Sequence, residues 1–257
     1  MKFEVGVYDD IPYEQYAEIP AFRSHDLTSV IKCPYSWKYK KDVKQTPAML
    51  EGRLQHTLFL EEHKFDEEFI IQPQIDRRTK AGKEDYEAFL NSVGSRSIIT
   101  QELYDTCQER RTVIESYVPK KTDMVELTIC FLWHSQPFKC RLDWYDHEYI
   151  WDLKTCMDAS PRGFIRAVNN FNYHMQASLY IDACRASGLK CKGFKFLAQE
   201  KKDPYPYAVY SLSGESIQYA QARNEQALQV LLKCEASKEY RPFDLYGEQV
   251  IELSDLY

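Results

Sequence analysis

The sequence predicts an α/β or α+β fold with one central sheet flanked by helices. At Met124 the apolar period changes from helical to strand-like, and VELTICFLW, PFKCRLDWY and YIWDLKT follow one another across HSQ and DHE turns. From Ser160 onward the pattern then reads helix, two strands, helix, the order of a sheet covered by helices. The 257 residues hold nine glycines, no repeat, no low-complexity tract and no Ser/Gly/Pro linker, so one continuous domain over 1–257 is expected.

In chain order, residues 5 to 22 alternate short aromatic and polar stretches. Residues 26 to 41 predict a helix, a Cys33-Pro34 break and a second short helix. Lys32, Lys38, Lys40, Lys41 and Lys44 crowd that region around Tyr35, Trp37 and Tyr39, a pattern that suits either a solvated helical face or a phosphate-contacting patch. Thr46 and Pro47 supply an N-cap and a first helical residue. Leu50, Leu54, Thr57 and Leu58 form one stripe of the helix that continues to Leu60, with Gly52 and His56 on another face. The charged stretch from Asp76 to Asp85 predicts a loop entering a helix, and 101–118 a further amphipathic helix. Beyond the three strands, Ser160-Pro161 repeats the capping signal. Helix is expected over 161–169 and, after a break at Asn169-Asn170, over 173–187, with Gly188 as the stop. Residues 192–198 and 206–212 predict two more strands, and 214–235 a last long helix.

Composition excludes several classes. With 44% hydrophobic and 14% aromatic residues the chain can bury a sizeable core, which rules out a disordered or fibrous protein. No stretch approaches the roughly 18 apolar residues that span a bilayer, and MKFEVGVYDD lacks the pattern of a signal peptide, so a cytoplasmic location is expected. The eight cysteines never fall in C-x-x-C spacing and read as reduced, structural thiols. A formal charge of -6 argues against coating DNA by bulk charge, while leaving room for a local basic groove beside a carboxylate site.

The chemistry concentrates on two strands. Period 2 places Asp152 and Lys154 on one face of YIWDLKT and Leu153 on the other. If the preceding turn is a two-residue loop at His147-Glu148, Asp143 pairs with Asp152 directly across the strands; a bulge or longer loop shifts that register. Facing carboxylates repel unless a cation lies between them, and a divalent metal with Lys154 beside it resolves the conflict. Oxygen-rich sites of this kind suit Mg²⁺ or Mn²⁺ and phosphodiester hydrolysis. A D-x-K triplet alone is more often a solvent-face pair, but Tyr149, Ile150, Trp151 and Leu153 make this strand apolar enough to be central. His56, Glu126, Gln176 and Tyr180 are each weak signals alone.

Together these residues resemble the PD-(D/E)xK nuclease superfamily in its RecB-like branch: Gly52 to His56 as G-x-x-x-H, Asp143, the Asp152-Leu153-Lys154 triplet, and Gln176 to Tyr180 as Q-x-x-x-Y. The series EVGVYDDIPYEQY, CPYSWKY, LEGRLQHTLFLE, DRRTKAGKEDYEAFL, FKCRLDWY, WDLKT and YHMQASLYIDA is similar to the RecE-type exonuclease domain of phage and prophage recombination systems. The second acid is Asp where many superfamily members have Glu, and RecE-type proteins share that choice. The scattered cysteines set the chain apart from iron-sulfur members.

The resemblance implies a restriction-endonuclease-like core with a mixed sheet. It implies that His56, Asp143, Asp152 and the backbone carbonyl of Leu153 hold Mg²⁺, with Mn²⁺ as substitute and two ions per site. Lys154 would be the catalytic lysine, Glu126 a further acid for the second ion, and Gln176 and Tyr180 would steady the nucleotide. Arg23, Thr28 and Ser29 stand, by position only, where a 5′-phosphate grip is expected, and Arg77, Arg78 and Lys80 resemble a block that tracks the duplex. It further implies 5′-to-3′ digestion of one strand of linear duplex DNA to 5′-mononucleotides, a ring-shaped trimer or tetramer, a single-strand annealing protein as partner, and a phage- or prophage-encoded protein in a bacterial cytoplasm. An endonuclease on the same fold and a DNA-binding protein with a decayed site are the rival expectations.

Overall fold

The computed structural model describes residues 2–9, 11–41, 45–115 and 124–243. The chain begins with β1 (Gly6–Tyr8), α1 (Tyr13–Glu18), α2 (Ser24–Lys32) and α3 (Pro34–Tyr39), followed by α4 (Pro47–Leu60), α5 (Phe65–Glu68) and β2 (Phe69–Ile71). Next come α6 (Lys80–Val93), β3 (Ser97–Ile99) and α7 (Gln101–Glu115), then the meander β4 (Val125–Trp133), β5 (Gln136–Tyr145) and β6 (Tyr149–Cys156). The chain continues through α8 (Pro161–Phe171), α9 (Tyr173–Ala186), β7 (Gly193–Glu200), β8 (Tyr207–Ser211) and α10 (Gly214–Ser237).

The helix starts follow their caps. Thr46 Oγ1 accepts the Met49 N–H at 3.2 Å and Ser160 Oγ that of Gly163 at 3.2 Å, each with proline as the first helical residue. At the α2–α3 break the Cys33 thiol caps α3 by accepting from Ser36 N–H. The break between α8 and α9 falls at Asn172, which takes the left-handed conformation at φ 55°, and not at Asn169-Asn170 as the sequence suggested. Asparagine tolerates that conformation, and the two preceding residues complete the last turn of α8. Residues 116–118 of the expected 101–118 helix, and Lys44 of the lysine-rich segment, lie outside the described residues.

A six-stranded mixed sheet runs in the order β1-β4-β5-β6-β7-β8. The meander is antiparallel, and α8 with α9 forms the crossover that brings β7 parallel to β6. This is the α/β sheet flanked by helices that the sequence predicted, with β6 in its interior. β2 and β3 form a separate two-stranded parallel ladder that sequence reasoning missed, because three residues each are too short a run to show a period.

Helices cover both faces of the large sheet. On one, Leu127, Ile129, Phe138, Leu142, Ile150 and Phe196 pack against Met175 and Leu179 of α9 and Leu231 of α10. On the other, the stacked rings of Trp144 and Trp151 pack with Leu153, Leu197, Phe59 of α4 and Ile114 of α7. Alternation along β6 therefore puts Asp152 and Lys154 on the α9 side, with Ile150. Among the described residues no helix is long and apolar enough to cross a membrane.

Candidate active site

The turn between β5 and β6 is the two-residue loop at His147-Glu148. Asp146 Oδ1 accepts the N–H of Glu148 and Tyr149, and His147 takes φ 70°. Trp144 pairs with Trp151 and Tyr145 with Ile150, in the register that puts Asp143 opposite Asp152. The ladder stops one pair short of the two acids. Instead of pairing through backbone, Asp143 turns Oδ2 to accept the Leu153 N–H at 2.7 Å. Two buried carboxylates placed directly opposite repel, and this redirected hydrogen bond separates them while satisfying the amide that the ladder gives up.

Three elements converge on that opening. From α4, His56 Nε2 donates to the Leu153 carbonyl oxygen at 3.0 Å, and Nδ1 stands 3.7 Å from Asp143 Oδ2. From β4, Glu126 comes opposite Asp143, between the pairs Val125–Trp144 and Leu127–Leu142. Its φ of 53° is a left-handed backbone that a glutamate adopts only under constraint from its surroundings. Part of that constraint is Arg141 of β5, whose Nε donates to Glu126 Oε2 at 2.5 Å while Nη1 donates to the Ile11 carbonyl at 2.9 Å. Donor atoms of His56, Glu126 and Asp143 all lie within 4.8 Å of one another, an arrangement able to hold a metal ion. Burial first, and the charge of Asp152 second, push the Asp143 carboxyl up to about 7. The Glu126 carboxyl is also raised, chiefly by burial and against the opposing pull of Arg141 and His56.

These features fit a hard divalent cation. The donors are two carboxylates and an imidazole, and the negative charge is held at a desolvation cost that a cation relieves.

Asp152 is the next acid, close enough for its charge to act on Asp143. It is 2% exposed; Oδ2 pairs with Lys154 Nζ at 2.6 Å and Oδ1 accepts from Gln176 Nε2 of α9 at 3.0 Å. Its carboxylate thus meets the lysine and the glutamine, while Glu126 stands beside His56 and Asp143 in the tight cluster. The Leu153 carbonyl does reach the cluster, through His56. Burial alone would push the Lys154 ammonium down, but the charges of Asp152 and Asp143 outweigh it and its pKa is raised. Nζ also lies 4.7 Å above the ring of Tyr173.

The remaining sequence candidates divide. Tyr180 is 9% exposed, packs on Phe194 and hydrogen-bonds Gln176, so it braces the glutamine from inside the core and offers no ring to a ligand. Arg23 caps α2 and lies 3.7 Å from Asp26; Thr28 Oγ1 donates to the His25 carbonyl, and Ser29 Oγ pairs with the His25 imidazole. Arg77, Arg78 and Lys80 are exposed at the entry to α6, with Arg78 forked onto Asp76 and Arg77 over the ring of Tyr86. Sequence reasoning missed Arg141 and Tyr173. The Glu126-Arg141 pair could have been found from the unlike charges that share a face across adjacent strands; Tyr173 carried no such signal.

Two acids and a lysine at the parting of two central strands, with a helical histidine above them, define a PD-(D/E)xK-type core. The chain belongs to the family described as "PDDEXK-like domain of unknown function (DUF3799)", whose model matches residues 29–242. The fold is similar to that of the "Putative exonuclease" of Eubacterium rectale, a crystal structure 13% identical over 95% of both chains with a TM-score of 0.64. That likeness shows the fold alone. The structure of SSO0001 covers 68% of this chain and 85% of its own at 13% identity, and its TM-score of 0.24 carries no argument. No curated protein matches the chain.

Proposed function

We propose that the protein is a Mg²⁺-dependent nuclease that digests one strand of linear double-stranded DNA from its 5′ end, releases 5′-mononucleotides and leaves a 3′ single strand. The observation that carries hydrolysis is the His56, Glu126 and Asp143 cluster standing beside the Asp152-Lys154 pair. The digestion polarity, the product and a place in recombination by strand annealing rest on the resemblance to RecE-type exonucleases.

A divalent cation, Mg²⁺ or Mn²⁺ and two per site when fully loaded, supplies Lewis acidity and neutralises charge at the scissile phosphate. His56, Asp143, Asp152 and the Leu153 carbonyl would hold it, with Glu126 as the further acid for a second ion. Lys154 stays protonated and stabilises the charge that develops on the phosphate. Gln176 keeps Asp152 in orientation, and Tyr180 keeps Gln176. Arg141 holds Glu126 toward the cluster. Arg23, Thr28 and Ser29 are assigned to the 5′-phosphate, and Arg77, Arg78 and Lys80 to the duplex. A single domain over 1–257, a ring-shaped trimer or tetramer, an annealing protein as partner and a bacterial cytoplasm with a phage or prophage gene complete the reading.

Linear duplex DNA labelled separately at its 5′ and 3′ ends, digested with Mg²⁺ or EDTA beside a closed circle and the Asp152→Ala variant, tests it. Early metal-dependent release of the 5′ label with an intact circle and an inactive variant is expected. Cutting of the circle would make the enzyme an endonuclease, and no hydrolysis with either metal would leave a DNA-binding role.

A further inference from the structure

Phe171 is 65% exposed, at the last position of α8. A single exposed aromatic is unremarkable on a protein surface. This one is stacked on Tyr173, with ring centroids 5.4 Å apart and planes 24° from parallel. Residues two apart do not face each other in a helix, and the contact exists because Asn172 between them leaves the helical conformation. The inner ring is anchored: Tyr173 packs against Phe164 and Phe196 of the core, at 6.4 Å and 6.1 Å, and covers the Lys154 ammonium at 4.7 Å. Asp152, Lys154, Tyr173 and Phe171 thus form one chain of contacts from the acid of the candidate active site to solvent.

We propose that Phe171, backed by Tyr173, is a stacking platform for an unpaired nucleobase of the DNA strand being cut. The inference rests on the nuclease reading and adds a subsite to it. A nucleobase fits because it is a flat, apolar-faced ring tethered to a phosphate, and the open Phe171 face stands one ring beyond the lysine that would meet that phosphate. Only an unpaired or terminal base has a free face to offer, so the platform would favour single-stranded or frayed ends over duplex interior. Stacking on an aromatic ring tolerates any base, in keeping with digestion that does not depend on sequence. Tyr173 also fixes where the Lys154 ammonium sits, so a base held on its outer neighbour brings the attached phosphate toward that cation.

The test uses the full chain, Ca²⁺ in place of Mg²⁺ to permit binding, and a 5′-overhanging duplex carrying 2-aminopurine or an abasic residue at successive overhang positions. Wild type should quench 2-aminopurine at one position. Phe171→Ala should lose that quench and bind about 30-fold more weakly, the middle of the range for a base-aromatic stack, while Phe171→Trp restores both. The abasic residue at that position should cost wild type the same factor and Phe171→Ala nothing further. Persistence of the quench in Phe171→Ala, or losses that multiply between variant and abasic DNA, would overturn the platform. Hydrolysis of linear DNA by wild type in Mg²⁺, measured alongside, keeps the nuclease reading standing in that case; absence of both hydrolysis and binding overturns the two together.

Discussion

β5 and β6 each carry a buried lysine, and the two are used in opposite ways. Lys139 is 2% exposed, and its three N–H donors meet three backbone carbonyls, those of Tyr16 and Ile19 at 2.7 Å and of Ala17 at 3.0 Å. Every donor is spent on holding α1 and the segment after it against the sheet. Lys154 keeps 18% of its side chain exposed and meets one carboxylate and one ring face. Their proton affinities shift oppositely: burial lowers the Lys139 pKa, whereas the carboxylates of Asp152 and Asp143 overcome burial and raise that of Lys154. Burial of a charge is therefore no mark of function by itself. The distinguishing feature is whether neutral backbone groups consume its donors or a carboxylate holds it at the mouth of an acidic cluster.

The sharpest break of this comparison is a pair of substitutions. Lys154→Ala should lower DNA hydrolysis by about 10³-fold, the scale of losing one preorganised charge at a transition state, and should also lower the urea midpoint, because buried Asp152 loses its paired cation. Lys139→Met should lower stability alone. It removes three hydrogen bonds, although the Tyr16 and Ile19 carbonyls keep the N–H groups of Ile19 and Ala21, and urea unfolding should show a loss of about 1–3 kcal/mol, while activity per folded molecule is kept. A Lys154→Ala variant that unfolds readily yet cuts DNA would erase the distinction.

A smaller effect is expected from pH. The Asp143 carboxyl titrates near 7 when folded and near its ordinary 3.8 when unfolded, so ionisation favours the unfolded chain. In metal-free protein the stability due to this group should fall as pH rises from about 4 toward 7 and level off above. Melting curves in EDTA at pH 5 and 7.5 would show this decline in wild type and lose it in Asp143→Asn; an unchanged slope would refute the assignment. Mg²⁺ at pH 7.5 should raise the melting temperature of wild type more than that of Asp143→Asn or Glu126→Gln, since binding to the folded state stabilises it by mass action. The smallest effect belongs to the periphery. Arg78→Ala should weaken duplex binding a few-fold and reduce the salt dependence of affinity by about one phosphate contact, a change absent if the α6 entry lies off the DNA path.

Much of the architecture was legible in residue order. Thr46-Pro47 and Ser160-Pro161 marked helix starts that the structure repeats, and the meander, with its two-residue turn at His147-Glu148, came from alternation and length. The register between β5 and β6 was one of the alternatives the sequence left open, and the two-residue turn decides it up to the last pair before the acids. There the prediction stopped short, because strand periodicity carries no term for the repulsion of two carboxylates, which ends the ladder and sends Asp143 to the Leu153 amide.

The sequence by itself determined the elements, their order, the central place of β6 and the side of it that bears Asp152 and Lys154, since these depend on local capping and on a period of two. Tertiary structure alone decided which acids stand beside His56, how Arg141 and Gln176 divide them, and which lysine is silent. Those outcomes depend on contacts between residues far apart in the chain, His56 with Leu153 at 97 positions and Lys139 with Tyr16 at 123, and on the electrostatic cost of bringing like charges together, for which local pattern has no signal.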